Sequence, residues 1–411
     1  MAVSKAPTRR GVVRVLGLGG TALVAGCAGL DLGGGGGGRS PDAPPPAPSP
    51  TPGVSAEPLP PPGAGPGGAP GAPGQARVTL ILPLSAGGNA GAAAQSMKNA
   101  AELALAEFNN PDVILDVKDD AGTAQGAQAA ARQALEEGAV VILGPLFAHA
   151  VGATAQVARG KVPVIAFSTD ANVASRGIYL LSFLPESDVD RIVEYAVSQG
   201  KRSMAAFLPD NPYGGVVEAA FKQAVSRKGG RVTAVERYKP GEAAQGPVRQ
   251  VADVANRSDA LFLADSGDAL PRVVQALQGA GVDPKRLQLL GTGLWDDQRV
   301  FSDPALDGGW FAAPDSAGFR GFAGRYRIRY GQDPVRTATL AYDAVALVAA
   351  LLKAQGGGRI TDEMLLNPSG FAGIDGVFRF RQDGTNQRGL AVLKVTTAGG
   401  EVLSAAPRTF G

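Results

Sequence analysis

The sequence has one cysteine, Cys27, and one histidine, His149, in 411 residues. A lone cysteine excludes a disulfide framework and any zinc cluster built on cysteine pairs. Aromatic residues make up only 6%, and 39 basic residues nearly cancel 37 acidic ones. No sustained basic stripe is present, so nucleic acid is not expected as a partner. HExxH, G-x-S-x-G and the Walker loop are missing, and with them the usual hydrolase and nucleotide signatures. The chain therefore reads as a non-enzyme with no implied cofactor or metal. His149 stands beside a predicted helix start with no carboxylate in view, which fits a solvated or capping role better than catalysis. Ser198-Gln199-Gly200-Lys201 matches S-x-x-K in spacing alone, because Gly200 ends a predicted helix and catalysis by that motif needs its serine at a helix start.

What is present begins with a hydrophobic fraction of 45%, enough over this length to bury a large core in two or three folding units. Glycine (58) and proline (31) are abundant, but 14 of the prolines fall between Pro41 and Pro73, so the excess belongs to one segment. Before it, Lys5, Arg9, Arg10 and Arg14 precede an apolar stretch, Val15 to Gly26, that ends at Cys27. This is the layout of a secretion signal, and the stretch is too short and glycine-rich for a spanning helix. Val24-Ala25-Gly26-Cys27 resembles the lipobox of bacterial lipoproteins, which implies lipidation of Cys27 after removal of residues 1–26. A buried free cysteine is the bland alternative. Arg9-Arg10 leaves twin-arginine and general export both open. Residues 27–75 lack hydrophobic periodicity and cannot offset their ordering entropy. They read as a disordered Gly/Pro-rich tether that could reach roughly 150 Å if drawn out.

From residue 76 short aliphatic runs alternate with helical segments. Val78 to Leu84, Val113 to Val117, Val140 to Leu143 and Val162 to Ala166 read as strands, with helices at Ala92 to Phe108, Ala124 to Leu135 and Ala150 to Ala158 between them. The pattern begins again at about Ile192 with a helix to Gln199. Strands follow at Met204 to Leu208, Arg231 to Val235, Ala260 to Leu263 and Leu287 to Leu290. The expected fold class is α/β, with two doubly wound parallel-sheet lobes joined by a hinge. Helices at Phe322 to Tyr330 and Thr339 to Lys353 are expected to return to the first lobe. That assigns about 76–190 and 316–360 to lobe one, and about 191–315 with the closing C-terminal strands, near Val377 to Arg381 and Leu390 to Val395, to lobe two.

Doubly wound sheets bind ligands in loops at the carboxyl ends of their strands. Those loops offer Ser168, Thr169 and Asp170, then Asp210-Asn211-Pro212-Tyr213-Gly214, then Asp265-Ser266, then Gly293-Leu294-Trp295-Asp296. The candidate ligand contacts are Ser168, Thr169, Asp170, Tyr213, Asp265, Ser266 and Trp295. Tyr213 and Trp295 are candidates for stacking on a ring or aliphatic side chain. Helix capping is the plain alternative at each loop, and ordinary packing the alternative at Trp295.

Gly144-Pro145 after an aliphatic strand, Val162-Pro163-Val164-Ile165 leading into Ser168-Thr169, and Asp210 to Gly214 before a helix resemble leucine/isoleucine/valine-binding receptors of the type I periplasmic-binding fold. Tyr342-Asp343-Ala344-Val345 and Gly373 to Phe380 are similar to that family's late helix and closing strands. The resemblance covers about 76–411. It implies a cleft tyrosine at Tyr213 and carboxylate-holding residues at Ser168 to Asp170. The chain departs from the family in having Pro-Leu-Phe-Ala-His after Gly144, and Gly293 or Leu294 where an acid would grip an α-ammonium. The lipobox, the tether and Gly291 to Asp297 also resemble envelope lipoproteins known as penicillin-binding-protein activators. Two functions follow from these resemblances. One is a periplasmic, membrane-anchored activator of a peptidoglycan synthase, attached more fittingly to the outer membrane. The other is a substrate-binding protein that delivers an amino acid or small amide to an ABC permease. The tether and the missing acid favour the activator, which is the expected function; the cleft loops favour the receptor, which is the alternative.

Overall fold

A computed structural model describes residues 75–108, 113–240 and 245–410. The expected signal segment, Cys27 and the tether as far as residue 74 fall outside the described residues. Strand β1 (Ala76–Leu82) shows why the aliphatic runs become strands covered on both faces: Val78, Leu80 and Leu82 enter one core and Ile81 the other. The chain continues through α1 (Gly88–Phe108), β2 (Val113–Asp119), α2 (Ala124–Glu136), β3 (Ala139–Leu143), α3 (Ala148–Ala158), β4 (Val164–Ala166) and β5 (Ile178–Leu180). These strands form a wholly parallel sheet of order β2-β1-β3-β4-β5. Gly144 turns the chain after β3 at φ +84°, and a Cβ there would lie 2.1 Å from the Ile81 carbonyl oxygen, so only glycine fits.

The second winding comprises α4 (Pro185–Ser198), β6 (Ser203–Pro209), α5 (Pro212–Arg227), β7 (Arg231–Tyr238), α6 (Gln245–Ala255), β8 (Ala260–Leu263), α7 (Leu270–Gly279), β9 (Gln288–Gly291), α8 (Gln298–Phe301) and β10 (Trp310–Ala313). The remainder is α9 (Ser316–Tyr330), α10 (Ala338–Gln355), α11 (Asp362–Leu365), β11 (Phe371–Gly373), β12 (Gly376–Phe380), β13 (Asn386–Arg388), β14 (Ala391–Thr396) and β15 (Gly399–Ser404). The second sheet has the order β15-β14-β10-β9-β8-β6-β7, antiparallel only where β14 and β15 join it. The fold is thus α/β with two lobes, each a doubly wound sheet.

Helices α9 and α10 pack in the core of the first lobe. Alanines at 94, 100, 101 and 104 on α1 and at 341, 344 and 349 on α10 let the two helices lie close together in one core. Helix α10 has the length and apolar composition of a membrane span, yet 67% of it is buried inside the protein. Two expectations are corrected. Helix α4 begins at Pro185 and packs on α5, so the chain leaves the first lobe before it and not near residue 190. The closing strands also do not act together. Strand β12 pairs with β11 and β13 in a separate antiparallel sheet and places Phe378 and Phe380 in the first lobe's core, while β14 joins the second lobe's sheet. The chain therefore crosses between lobes three times, after β5, after β10 and after β13.

Candidate functional site

On the second lobe, three chain segments converge at the carboxyl ends of the strands. The Asn211 side chain accepts the Gly214 N–H at 2.8 Å and Pro212 opens the helix, so Tyr213 sits in the first turn of α5. Its hydroxyl lies 2.9 Å from the hydroxyl of Thr292, a fully buried residue just past β9. The next residue, Gly293, donates its N–H to Asp188 Oδ2 at 2.9 Å, and Asp188 comes from the first turn of α4. Burial pushes the Asp188 carboxyl up to about 7; the Gly293 N–H and Arg388 oppose the rise and Glu186 adds to it. Burial likewise raises the Tyr213 hydroxyl, with Thr292 opposing and the charges of Asp188 and Asp265 reinforcing. Asp265 accepts the Tyr238 hydroxyl and the Ser266 N–H, the latter at 2.7 Å.

On the first lobe, Ser168 is buried and its Oγ accepts the Asp170 N–H at 3.1 Å. Asp170 in turn caps a short turn by accepting Asn172 N at 3.0 Å, and Thr169 is exposed. Ala171, next to this loop, lines the same groove as Glu186 at the start of α4, and burial first and the Asp170 charge second raise the Glu186 carboxyl. Burial raises the Asp296 carboxyl on the second lobe, and the charges of Arg336 and Arg320 from the first oppose the rise.

The structure therefore places Tyr213 and Asp265 on the second lobe, bonded to Thr292 and Tyr238 respectively, and Ser168 to Asp170 on the first. Ser266 is a turn residue whose carbonyl accepts Ala269 N and Leu270 N at 3.0 Å. Trp295 is a correction. Its indole is fully buried in the second lobe's core and donates Nε1–H to the Leu263 carbonyl at 3.1 Å, so it cannot stack on a solute. The space for it comes from Gly291, where a Cβ would lie 2.2 Å from the indole ring. His149 Nε2 is 2.9 Å from the Gly122 carbonyl, and Ser198 donates to the Tyr195 carbonyl at 2.6 Å, both local structural bonds.

Sequence reasoning missed the group where the crossovers meet. Arg388 on β13 and Arg336 before α10 each place a guanidinium 4.7 Å from the ring centroid of Phe183, which lies on the first crossover. Fully buried Asp375 accepts Arg336 Nη2 at 2.5 Å, Arg336 Nη1 at 2.9 Å and the Thr339 hydroxyl at 2.6 Å. Asp343 on α10 is 3% exposed and accepts the Ile374 N–H at 2.8 Å. Burial raises its carboxyl to about 7, Asp375 adds to the rise, and Arg388, the Ile374 N–H and Arg336 oppose it.

That shift has a sign. Asp343 holds its proton more tightly folded than unfolded, so its contribution to stability is full below about pH 4 and is lost as pH rises to about 7. Asp343→Asn is expected to flatten the fall in urea-unfolding free energy between pH 4.5 and 7.5 by about 3 kcal/mol relative to the unaltered protein. Parallel pH profiles for the two proteins would remove the assignment.

Comparison with known proteins places these features in a family context. A family model described as periplasmic binding protein matches residues 75–401. Among similar solved structures is a branched-chain amino acid ABC transporter periplasmic ligand-binding protein from Burkholderia xenovorans, 17% identical with a TM-score of 0.67, covering 81% of this chain and 96% of that one. An ABC transporter substrate-binding protein from Sphaerobacter thermophilus is 21% identical with a TM-score of 0.66, covering 81% and 98%. An ABC transporter solute-binding protein from Rhodopseudomonas palustris, in complex with 3,4-dihydroxybenzoic acid, is 22% identical with a TM-score of 0.60, covering 82% and 97%. No curated protein matches the chain.

Proposed function

The chain belongs to the periplasmic binding protein family, and from that premise we propose that it is the solute receptor of an ABC transporter, a non-enzyme that closes its two lobes on a small organic acid or amino acid and presents it to the permease. The observation that carries this reading is the convergence of Tyr213, Asp188 and Gly293 on one lobe, facing the Ser168 to Asp170 loop on the other. Both walls stand at the carboxyl ends of parallel strands, where this class of sheet takes ligands. The preference for a synthase activator rested on the tether and on the absence of an acid at 293 or 294. The tether lies outside the described residues, and an acid does reach that place from α4, since Asp188 holds the Gly293 N–H. Neither ground now separates the activator from the receptor, and the similar structures compared above are transport proteins.

Tyr213→Ala is expected to abolish uptake of the solute by cells while peptidoglycan synthesis continues at the normal rate. Normal uptake with impaired wall synthesis would reverse the choice between the two readings. Closure follows the hinge motion of two-lobed receptors, so the radius of gyration in solution scattering is expected to fall when the solute is added. The receptor works in the periplasm, and we propose that a lipid on Cys27 anchors it, two acyl chains being enough for stable attachment. Loss of radioactive palmitate label in Cys27→Ala checks the anchor; retained label excludes it.

A further inference from the structure

Among the described residues, Arg388 is a buried guanidinium, 6% exposed, whose two terminal nitrogens have no hydrogen-bond partner. Its Nε donates to the Ser182 carbonyl at 3.0 Å, and the same carbonyl accepts Asn386 Nδ2 at 2.8 Å. The two side chains therefore lie side by side on β13, and Asn386 Oδ1 is likewise buried without a partner. Stacking fixes the plane of the guanidinium, 4.7 Å from the Phe183 centroid and 5.6 Å from that of Phe378. The surrounding acids do not close on its fork. Asp375 is held by Arg336 and Thr339, Asp343 accepts from Ile374, and Asp188 accepts from Gly293.

Arg388 and Asn386 also line a groove of about 940 Å³ that runs between Glu186 and Arg191 of α4 on one side and β12, β13 and Phe410 on the other. The fork lies behind the wall of this groove, its terminal nitrogens closed to solvent while the lobes stand as they do here. Buried N–H donors without acceptors are costly, and a planar fork whose two terminal nitrogens are both unbonded matches a carboxylate in two parallel bonds.

We propose that Arg388 binds ligand: its two terminal nitrogens hold the carboxylate of a small organic acid where the crossovers meet, and Asn386 Oδ1 accepts a hydroxyl or ammonium donor from the same molecule. The ligand class is an amino or hydroxy acid and not a sugar or a neutral amide. The biological meaning rests on the receptor reading, but the binding itself is measurable without it. Ser182 and Phe183 belong to the first crossover and Arg388 to the third, so a ligand here joins the segments that bend when the lobes move.

The test is a thermal-shift and calorimetric series on the full chain with matched pairs: L-leucine and L-leucinamide, 2-hydroxyisocaproate and its amide, benzoate and benzamide, with glucose as a neutral control. At least one acid is expected to raise the melting temperature while its amide does not. Arg388→Gln is expected to weaken that acid by about 30-fold or more, with Arg388→Lys recovering part of the loss. An amide that binds as well as its acid, a bound glucose, or an acid indifferent to Arg388→Gln overturns the proposal and leaves the receptor standing. No binding by any compound counts against both. Since the acid and amide comparison uses the unaltered protein, a variant that fails to fold does not remove the test.

Discussion

Asp375→Ala is expected to destabilise the protein by about 2–3 kcal/mol, somewhat less than breaking a fully buried ion pair, because Asp375 is buried but the Arg336 side chain is 36% exposed. Asp375 is fully buried and receives both terminal nitrogens of Arg336 as well as the Thr339 hydroxyl. Without it, Arg336 loses its counter-charge and Arg388 loses the acid that contributes most to keeping it charged against burial. The loss is therefore shared by two cations. Changing Arg336→Met in the same chain should recover much of the stability, because replacing a whole buried pair with apolar groups is often neutral. Urea unfolding of the single and double variants measures this. A double variant as unstable as Asp375→Ala alone would show that the pair is not the unit that matters.

The second large effect is expected at Trp295. Trp295→Ala should cost about 3–5 kcal/mol through lost burial and the cavity left behind. Gly291→Ala should be comparably harmful for the opposite reason, since its new Cβ would fall 2.2 Å from the indole ring. The two changes occupy the same space, so their effects should not add: Gly291→Ala ought to be far milder when Trp295 is already alanine. Additive free energies in this double-mutant cycle would mean that the indole and residue 291 do not compete. Trp295→Phe should leave solute binding unchanged, which a cleft-facing aromatic would not allow.

These two sites also show where a linear reading stops. The alternating windings were legible because the strands are aliphatic on both faces: Val78 to Leu84 anticipates β1, and Val140 to Leu143 lies within β3. Strands β5, β10 and β13, of three or four residues each, are too short to show a period and were not read. At the site, Tyr213 was legible because Asn211 and Pro212 announce a helix start just before it. Trp295 was misplaced because its neighbours Asp296 and Asp297 look like a loop, whereas Gly291 and Gly309 make room for the indole inside. Asp188 reads as an ordinary acid in a first helical turn, where it suits the helix dipole. Arg388 carries no local signal at all. Its burial depends on Phe378, its partner across the β12–β13 pair, and on Ser182 and Phe183 from the first crossover.

The return of α10 to α1 also sets a timetable for folding. Glu107 on α1 accepts the hydroxyl of Tyr342 on α10, 235 residues later. A ribosome adding about 5–20 residues per second takes roughly 10–50 s to make that stretch. Until then the alanine face of α1 that packs on α10 has no cover. The nascent chain cannot complete its first lobe while it is being made, and contacts at such long range slow folding further once it is released. In a chain of this connectivity the first lobe is finished only after the second winding, from α4 to β10, has already been made.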